Sequence, residues 1–267
     1  MPSRLTLPST YAADRTILTV LVATAAWLSL TLARGPGELA AIWVGNGILA
    51  GWLLSRRTSA WPGYVACAFV AELVARMLAG DPPAYSLAIG ACNILEVLVV
   101  AWLVRRRVPD LRDPRQWTGL GGIATAATLL ACVLSGAGAA ALAWVVNGQA
   151  FVQALATWFA AHFVGMVLVA TTTLVALRGK RRLLPHRRRP WGLVATLALL
   201  VVVAVGVFSI DYPVLFLTYP PLLLAAVRHR FAGVALGVIA LGLIGATATT
   251  LGHGPLWLAA DSGSAAR

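Results

Sequence analysis

Long apolar segments, separated by short stretches rich in Gly, Pro, Asp and Arg, cover almost the whole chain. A helix needs about 20 apolar residues to cross the hydrocarbon core of a bilayer. The segments that approach this requirement are Thr16–Ala33, Leu39–Ser55, Gly63–Leu78, Ala84–Val104, Trp117–Val146, Ala150–Leu177, Trp191–Ile210, Val214–Val227 and Phe231–Leu251. The pattern predicts an all-α polytopic membrane protein, a helical bundle of about nine spans within a range of eight to ten.

Several breaks between the spans have a clear local cause. The Gly35-Pro36-Gly37 run ends the first segment, and Asp81-Pro82-Pro83 predicts a tight turn that makes the third and fourth spans neighbours. The first segment is long for a signal peptide and lacks a small-residue cleavage site, so we expect an uncleaved span. The fifth segment is longer than a bilayer requires and contains several glycines, which favours a tilted, kinked or partly interfacial helix.

Composition agrees with this prediction. Hydrophobic residues make up 60% of the 267 residues and charged residues 11%, whereas a soluble domain has about 25% charged residues. The mean hydropathy is +0.83. We expect residues 1–267 to form a single integral membrane domain, with no soluble output domain in this chain.

The basic residues predict the orientation. The net charge is +12, and 18 of the 21 basic residues fall in segments on one side of the predicted membrane, nine of them in the loops Val108–Gln116 and Arg178–Pro190. Cytoplasmic loops carry such an excess, so the N-terminus is predicted to be cytoplasmic. Nine spans then place Arg267 outside. The loops favour contact with anionic membrane lipid, and nucleic acid is not an expected partner.

Motifs of soluble enzymes and metal sites are missing from the sequence. It has no Gly-rich phosphate loop, no His-Glu-x-x-His and no nucleophile elbow. The three cysteines, Cys67, Cys92 and Cys132, lie in apolar segments without metal or disulfide spacing. We therefore expect no enzymatic activity, no cofactor and no metal.

A set of polar residues near the midpoints of the spans, called the polar layer below, carries the functional prediction. It consists of Asn46, Glu72, Asn93, Glu96 and His162. An ionisable group at the bilayer centre costs roughly 2.5–3.5 kcal/mol, so such groups persist where something pairs them. Arg76, one helical turn after Glu72, shares its face, and it could be shared between Glu72 and Glu96.

Two interpretations of the polar layer remain open. It could be a hydrogen-bonded network that only joins helices, since polar groups stabilise transmembrane packing. It could also be a pocket for a small polar or cationic ligand, or a protonation sensor, because two carboxylates beside one arginine leave excess negative charge. The Gly45-Asn46-Gly47 break would leave backbone groups free to bind a ligand, or would allow a close helix crossing.

Four segments, in order along the chain, resemble the first class of bacterial membrane-associated sensor domains, the MASE group. Ile42-Trp43-Val44-Gly45-Asn46-Gly47 resembles the family's Trp-x-x-Asn-Gly signature, and Asn93 to Glu96 its Asn-x-x-Glu span. The third is Trp158-Phe159 through Gly165-Met166, which resembles the family's Trp-rich sixth segment. The fourth resembles its C-terminal hairpin and consists of Tyr219-Pro220 through Arg228 with Gly252-His253-Gly254-Pro255. One departure is His162, where the family segment tends to carry Asp.

The resemblance implies a sensory input module that feeds a cytoplasmic histidine kinase or a cyclic-di-GMP enzyme. We expect a multi-pass protein of the bacterial inner (plasma) membrane, for which a homodimer is possible. We expect it to perceive an unidentified small ligand or a proton. The candidate ligand-binding or signal-sensing residues are Trp43, Asn46, Glu72, Arg76, Asn93, Glu96 and His162. The alternatives are a small-molecule transporter or its substrate-binding subunit, and a membrane scaffold without a ligand.

Overall fold

The structure, a computed structural model, describes residues 8–32, 34, 39–40, 43–109, 117–178, 190–210, 212 and 214–255. All the regular structure in these residues is helical. The α-helices are α1 (Pro8–Leu32), α2 (Gly45–Ser55), α3 (Trp61–Leu78), α4 (Pro83–Arg107), α5 (Trp117–Asn147), α6 (Phe151–Gly165), α7 (Thr171–Arg178), α8 (Pro190–Phe208) and α9 (Tyr219–Thr250). The all-α prediction is confirmed for this part of the chain.

The turn between α3 and α4 has the predicted chemistry. Gly80 has φ of 89°, a conformation that L side chains rarely adopt, and Pro83 is the first residue of α4. Proline suits this position because the first helical N–H has no partner within the helix. The turn brings α3 and α4 together, and the two helices pack against each other.

Six helical stretches are long and apolar enough to cross a membrane. They are Tyr11–Thr31, Thr58–Leu78, Pro83–Arg107, Leu120–Asn147, Phe151–Leu174 and Trp191–Phe208. Large apolar side chains such as Val145, Val152 and Trp191 are 60% exposed or more, as expected of a surface that faces lipid. The protein is thus a multi-pass membrane protein, whereas the count of nine spans and the orientation stay predictions.

The second predicted span differs most from its prediction. Helix α2 begins only at Gly45 and has 11 residues, about 16 Å of rise, which is too short to cross a bilayer alone. Trp43 and Val44 precede the helix, yet Leu39 and Trp43 are buried. The apolar residues before Gly45 are therefore buried without being helical. A hydropathy pattern cannot distinguish a buried non-helical segment from a buried helix.

The sixth predicted span contains a change of helix type. After Gly165 the chain forms a π-helical turn over Met166–Ala170 before α7 continues. Single π-helical turns inside α-helices are rare and frequently lie at functional sites. This turn packs against α2.

The described residues divide into two units, residues 1–31 with 36–173 and residues 32–35 with 174–267. In the first unit α4 packs on α5, α5 on α6, and α2 on α4. One core cluster joins α4, α5 and α6 through residues such as Ile89, Ala140 and Trp158. A second cluster joins Ala26 of α1 with Trp43, Ala75 and Ala161.

In the second unit α8 packs against α9, and Thr196 Oγ1 lies 3.1 Å from His229 Nε2. The range of α9 spans both the eighth and the ninth predicted segments. A side chain at Gly233 would collide with the carbonyl oxygen of Ala225, eight residues earlier. Eight residues of straight helix rise about 12 Å, so the chain reverses sharply within α9. The sequence predicted a break between two segments at Arg228-His229-Arg230, which lies between the two contacting residues.

Most of the Arg-rich loops Val108–Gln116 and Arg178–Pro190 lies outside the described residues, as do the residues after Pro255. The predicted placement of Arg267 therefore stays a prediction. The Gly252-His253-Gly254-Pro255 segment follows α9 as a turn, in which Gly252 has φ of 80° and Gly254 of 91°. These conformations favour glycine at both positions.

Candidate functional site

The first unit brings the whole polar layer together from α2, α3, α4 and α6. Asn46, Glu72, Asn93 and Glu96 are fully buried, and His162 is 3% exposed. The two other candidates, Trp43 and Arg76, are also buried. The seven residues therefore form one polar interior rather than separate surface groups.

Glu96 lies at the centre of this interior. Its Oε1 accepts a hydrogen bond from Asn46 Nδ2 at 3.0 Å, and its Oε2 accepts one from Ser135 Oγ at 2.7 Å. Trp158 Nε1, at 3.3 Å, and His162 Nδ1, at 2.9 Å, also lie against Oε2. The partners of Glu96 come from α2, α5 and α6. A single carboxylate of α4 thus ties four helices together.

His162 is held by a hydrogen-bonding contact with Glu96 and by stacking. Its ring lies nearly parallel to that of Trp158, with centroids 3.8 Å apart, and to that of Trp43, with centroids 5.9 Å apart. With Glu96 ionised, Nδ1 of His162 carries the hydrogen and donates it to the carboxylate. An imidazolium against two indole rings would be stabilised further, because aromatic faces attract cations.

The asparagines connect the two carboxylates. Asn93 Nδ2 donates to Glu72 Oε2 at 2.9 Å. Asn46 Nδ2, which donates to Glu96, also lies 3.5 Å from the backbone carbonyl of Asn93. Asn46 Oδ1 in turn accepts from Trp43 Nε1 at 2.9 Å. The network therefore runs from Glu72 through both amides to Glu96.

Arg76 contacts groups that the sequence did not indicate. That Glu72 and Glu96 could share Arg76 stays a prediction, while the hydrogen bonds described above involve Asn93 and Asn46. Arg76 Nη1 lies 3.4 Å from Asp81 Oδ2, and the guanidinium lies over the Trp43 ring at 4.9 Å. Its charge still acts on Glu72, one helical turn earlier.

Two residues of the site were missed by the sequence reasoning. Ser135 and Trp158 both contact Glu96, and Trp158 Nε1 also lies 2.9 Å from Ser135 Oγ. Serine and tryptophan are common in membrane helices, so neither stands out alone. The available signal was spacing, because Trp158 lies four residues before His162 on the same helical face.

Glycines allow α2 to approach the π-helical turn closely. A side chain at Gly165 would collide with the carbonyl oxygen of Trp43, and one at Gly47 would lie 2.6 Å from the carbonyl oxygen of Gly165. Both distances are shorter than real Cβ contacts allow. Of the two uses predicted for the Gly45-Asn46-Gly47 break, the structure shows the close crossing.

A second polar cluster, called the Asp14 cluster, lies at the other end of α2. The carboxylate of Asp14 accepts two hydrogen bonds from Arg56, at 2.6 and 2.9 Å, one from Tyr64 at 2.5 Å and one from Trp52 at 3.3 Å. Arg105 of α4 donates to the carbonyl of Arg56 at 2.7 Å. Helix α2 is therefore anchored at both ends by polar groups.

The site is a buried hydrogen-bond network. Among the described residues, no group of three or more His, Cys, Asp or Glu side chains is arranged to hold a metal ion. The network combines carboxylates, one imidazole and two amides, whose hydrogen bonds all change if one member gains a proton or a ligand.

Comparison with known proteins supports a sensory role. The MASE1 family of membrane-associated sensor domains matches residues 15–266, nearly the whole chain. Searches of curated proteins and of solved structures give no match. On the length of its match to that family, the chain belongs to the MASE1 membrane-associated sensor domains.

Proposed function

We propose that the chain is an integral membrane sensory input module of the bacterial inner membrane. Its polar layer perceives a small-molecule or proton signal, and helix packing transmits that signal to a cytoplasmic histidine kinase or cyclic-di-GMP enzyme. The family supports the sensory role. The arrangement around Glu96 is the observation that carries the choice of site, because helices α2, α5 and α6 all donate hydrogen bonds to it.

A change at Glu96 has a physical route out of the layer. Protonation of its carboxylate, or a ligand that competes for Asn46, removes bonds that hold α2 against α4 and α6. Helix α2 is only about 16 Å long, so a shift at Asn46 reaches the Asp14 cluster at its far end. Such a shift is a two-state change in packing that a ligand biases through its differential affinity for the two states.

The test is signalling by substituted proteins in the bacterium that makes them. Glu72→Gln, Glu96→Gln and Asn46→Ala each remove a bond or charge of the layer without lengthening a side chain. We expect each to shift the signal level at half-maximal response by about fivefold or more, the usual range of coupling between sites. The readout is phosphorylation of the partner kinase's regulator, or cellular cyclic-di-GMP.

Thr128→Ala is the matched control. Thr128 is also buried, in α5, but within the described part of the chain its hydroxyl bonds only to the carbonyl of Ala124 in the same helix. Each variant is checked for its amount in the membrane fraction. Normal responses from all three layer variants would place the sensing site elsewhere.

A further inference from the structure

One oxygen of the Glu72 carboxylate has no described donor. Oε2 accepts the hydrogen bond from Asn93 Nδ2, but Oε1 is buried without a hydrogen-bond partner among the described residues. The same holds for Oδ1 of Asn93, although both side chains are fully buried. Buried acceptors without a donor are rare because the lost solvation is not replaced. The two unsatisfied oxygens belong to one hydrogen-bonded pair of side chains.

The backbone of α2 leaves room beside this oxygen. A Cβ placed on Gly45 would lie 3.6 Å from Glu72 Oε1 and 3.8 Å from Trp43 Nε1, which are ordinary contact distances. A methyl group attached at Gly45 would therefore fit beside Oε1 without displacing a neighbour. An ammonium group has about this size.

Charge selects the kind of occupant. The layer holds the carboxylates of Glu72 and Glu96, and Glu96 is engaged by its own donors. The charge of Arg76 is shared between Glu72 and Asp81. When Glu72 is ionised, its carboxylate adds a negative charge to the layer, which favours a cation over a neutral molecule.

Resting on the proposal that the polar layer is the sensing site, we infer that Glu72 Oε1 and Asn93 Oδ1 bind a small ammonium-type cation beside Gly45. Its N–H groups donate to the two unsatisfied acceptors. Metal cations fit less well: calcium takes six to eight oxygen ligands, and magnesium demands an octahedral shell. The Glu72–Asn93 pair offers two such acceptors among the described residues, Glu72 Oε1 and Asn93 Oδ1. The site is distinct from Glu96, whose donors come from the protein.

The experiment measures thermal unfolding of the purified full chain in lipid nanodiscs, at constant pH and ionic strength. Ammonium or methylammonium chloride should raise Tm saturably, by roughly 5 °C at a hundredfold excess over Kd. Tetramethylammonium has the same charge but no N–H donor, and potassium is a spherical cation of similar size. Neither should produce the rise.

Two variants test the location of the site. Glu72→Gln removes the charge, and Gly45→Ala fills the space while keeping every polar group. Both should abolish the rise or weaken apparent affinity at least tenfold. Gly122→Ala, where a Cβ meets nothing within 4 Å, should respond like the wild type.

Three results would overturn the inference. They are an equal rise with potassium or tetramethylammonium, a rise produced by acidification alone with no ammonium effect, and an undiminished ammonium effect in Gly45→Ala. Because binding is measured without any output pathway, its failure is separate from that of the proposed function. Normal signalling by the layer variants would overturn the sensing role while ammonium binding stood.

Discussion

At the scale of single residues, the site depends on how completely Glu96 is surrounded by donors. Ser135 shows this best because its hydroxyl donates to Glu96 and lies within hydrogen-bonding distance of the Trp158 indole nitrogen. A buried carboxylate that loses one donor still carries the free-energy cost of its desolvation, but it has one hydrogen bond fewer to offset that cost. The stability of the first unit should therefore depend on side chains that no catalytic or metal motif would identify.

Ser135→Ala should lower the free energy of unfolding by about 1–2 kcal/mol. This is the range for a hydrogen bond to a charged group, reduced because hydrogen bonds between membrane helices contribute less. Thr128→Ala is the control on the same helix and at similar burial, and it should change stability by only a few tenths of a kcal/mol. Reversible unfolding in mixed micelles measures both variants. Equal losses for the two would contradict the special role of the Glu96 contacts.

Sequence reasoning reached most residues of the site but not their connections. Intramembrane polar residues are conspicuous because each is expensive, which is why Asn46, Glu72 and His162 could be identified. Which residue bonds to which depends on helix rotation, and spacing along one helix does not fix rotation relative to its neighbours. For this reason the hydrogen bonds of Asn93 and Asn46 were not predicted, and the sharing of Arg76 between Glu72 and Glu96 stays a prediction.

At the scale of elements, the contact of α2 with the π-helical turn determines how the site is built. Because Gly47 and Gly165 bring the two backbones together, Asn46 reaches Glu96 and Trp43 reaches His162. The apolar segments and their breaks predicted α3 and α4 closely. It could not predict that residues before Gly45 are buried without being helical, nor the π-helical turn, since both depend on contacts distant in sequence.

Gly165→Ala should disrupt this crossing. Its Cβ would meet the backbone of Trp43, which cannot rotate away as a side chain can. We expect a loss of at least about 3 kcal/mol or failure to obtain monodisperse protein, since overpacking a rigid contact is costly. Gly121→Ala, where a Cβ meets nothing within 4 Å, should be neutral or slightly stabilising. The two variants are compared by their thermal stability in detergent. Similar stabilities would contradict the close crossing.

At the scale of the whole molecule, we propose a membrane sensor whose signal enters at the polar layer. The family and the apolar helices establish a multi-pass membrane sensor domain. The cytoplasmic N-terminus and a possible homodimer stay predictions. The predicted transporter function and the ligand-free scaffold also stay open as alternatives, each with a different expected response to substitutions in the layer.

The most direct measurement of the central claim is a double-mutant cycle on the signalling response with Asn46→Ala, Glu96→Gln and their combination. If the bond between Asn46 and Glu96 transmits the signal, the double variant should respond like either single variant. When the shifts in half-maximal signal level are converted to free energies, the effects of the two single substitutions would then be non-additive by at least about 1 kcal/mol. Additive effects, or unchanged responses in all three proteins, would contradict sensing at the polar layer.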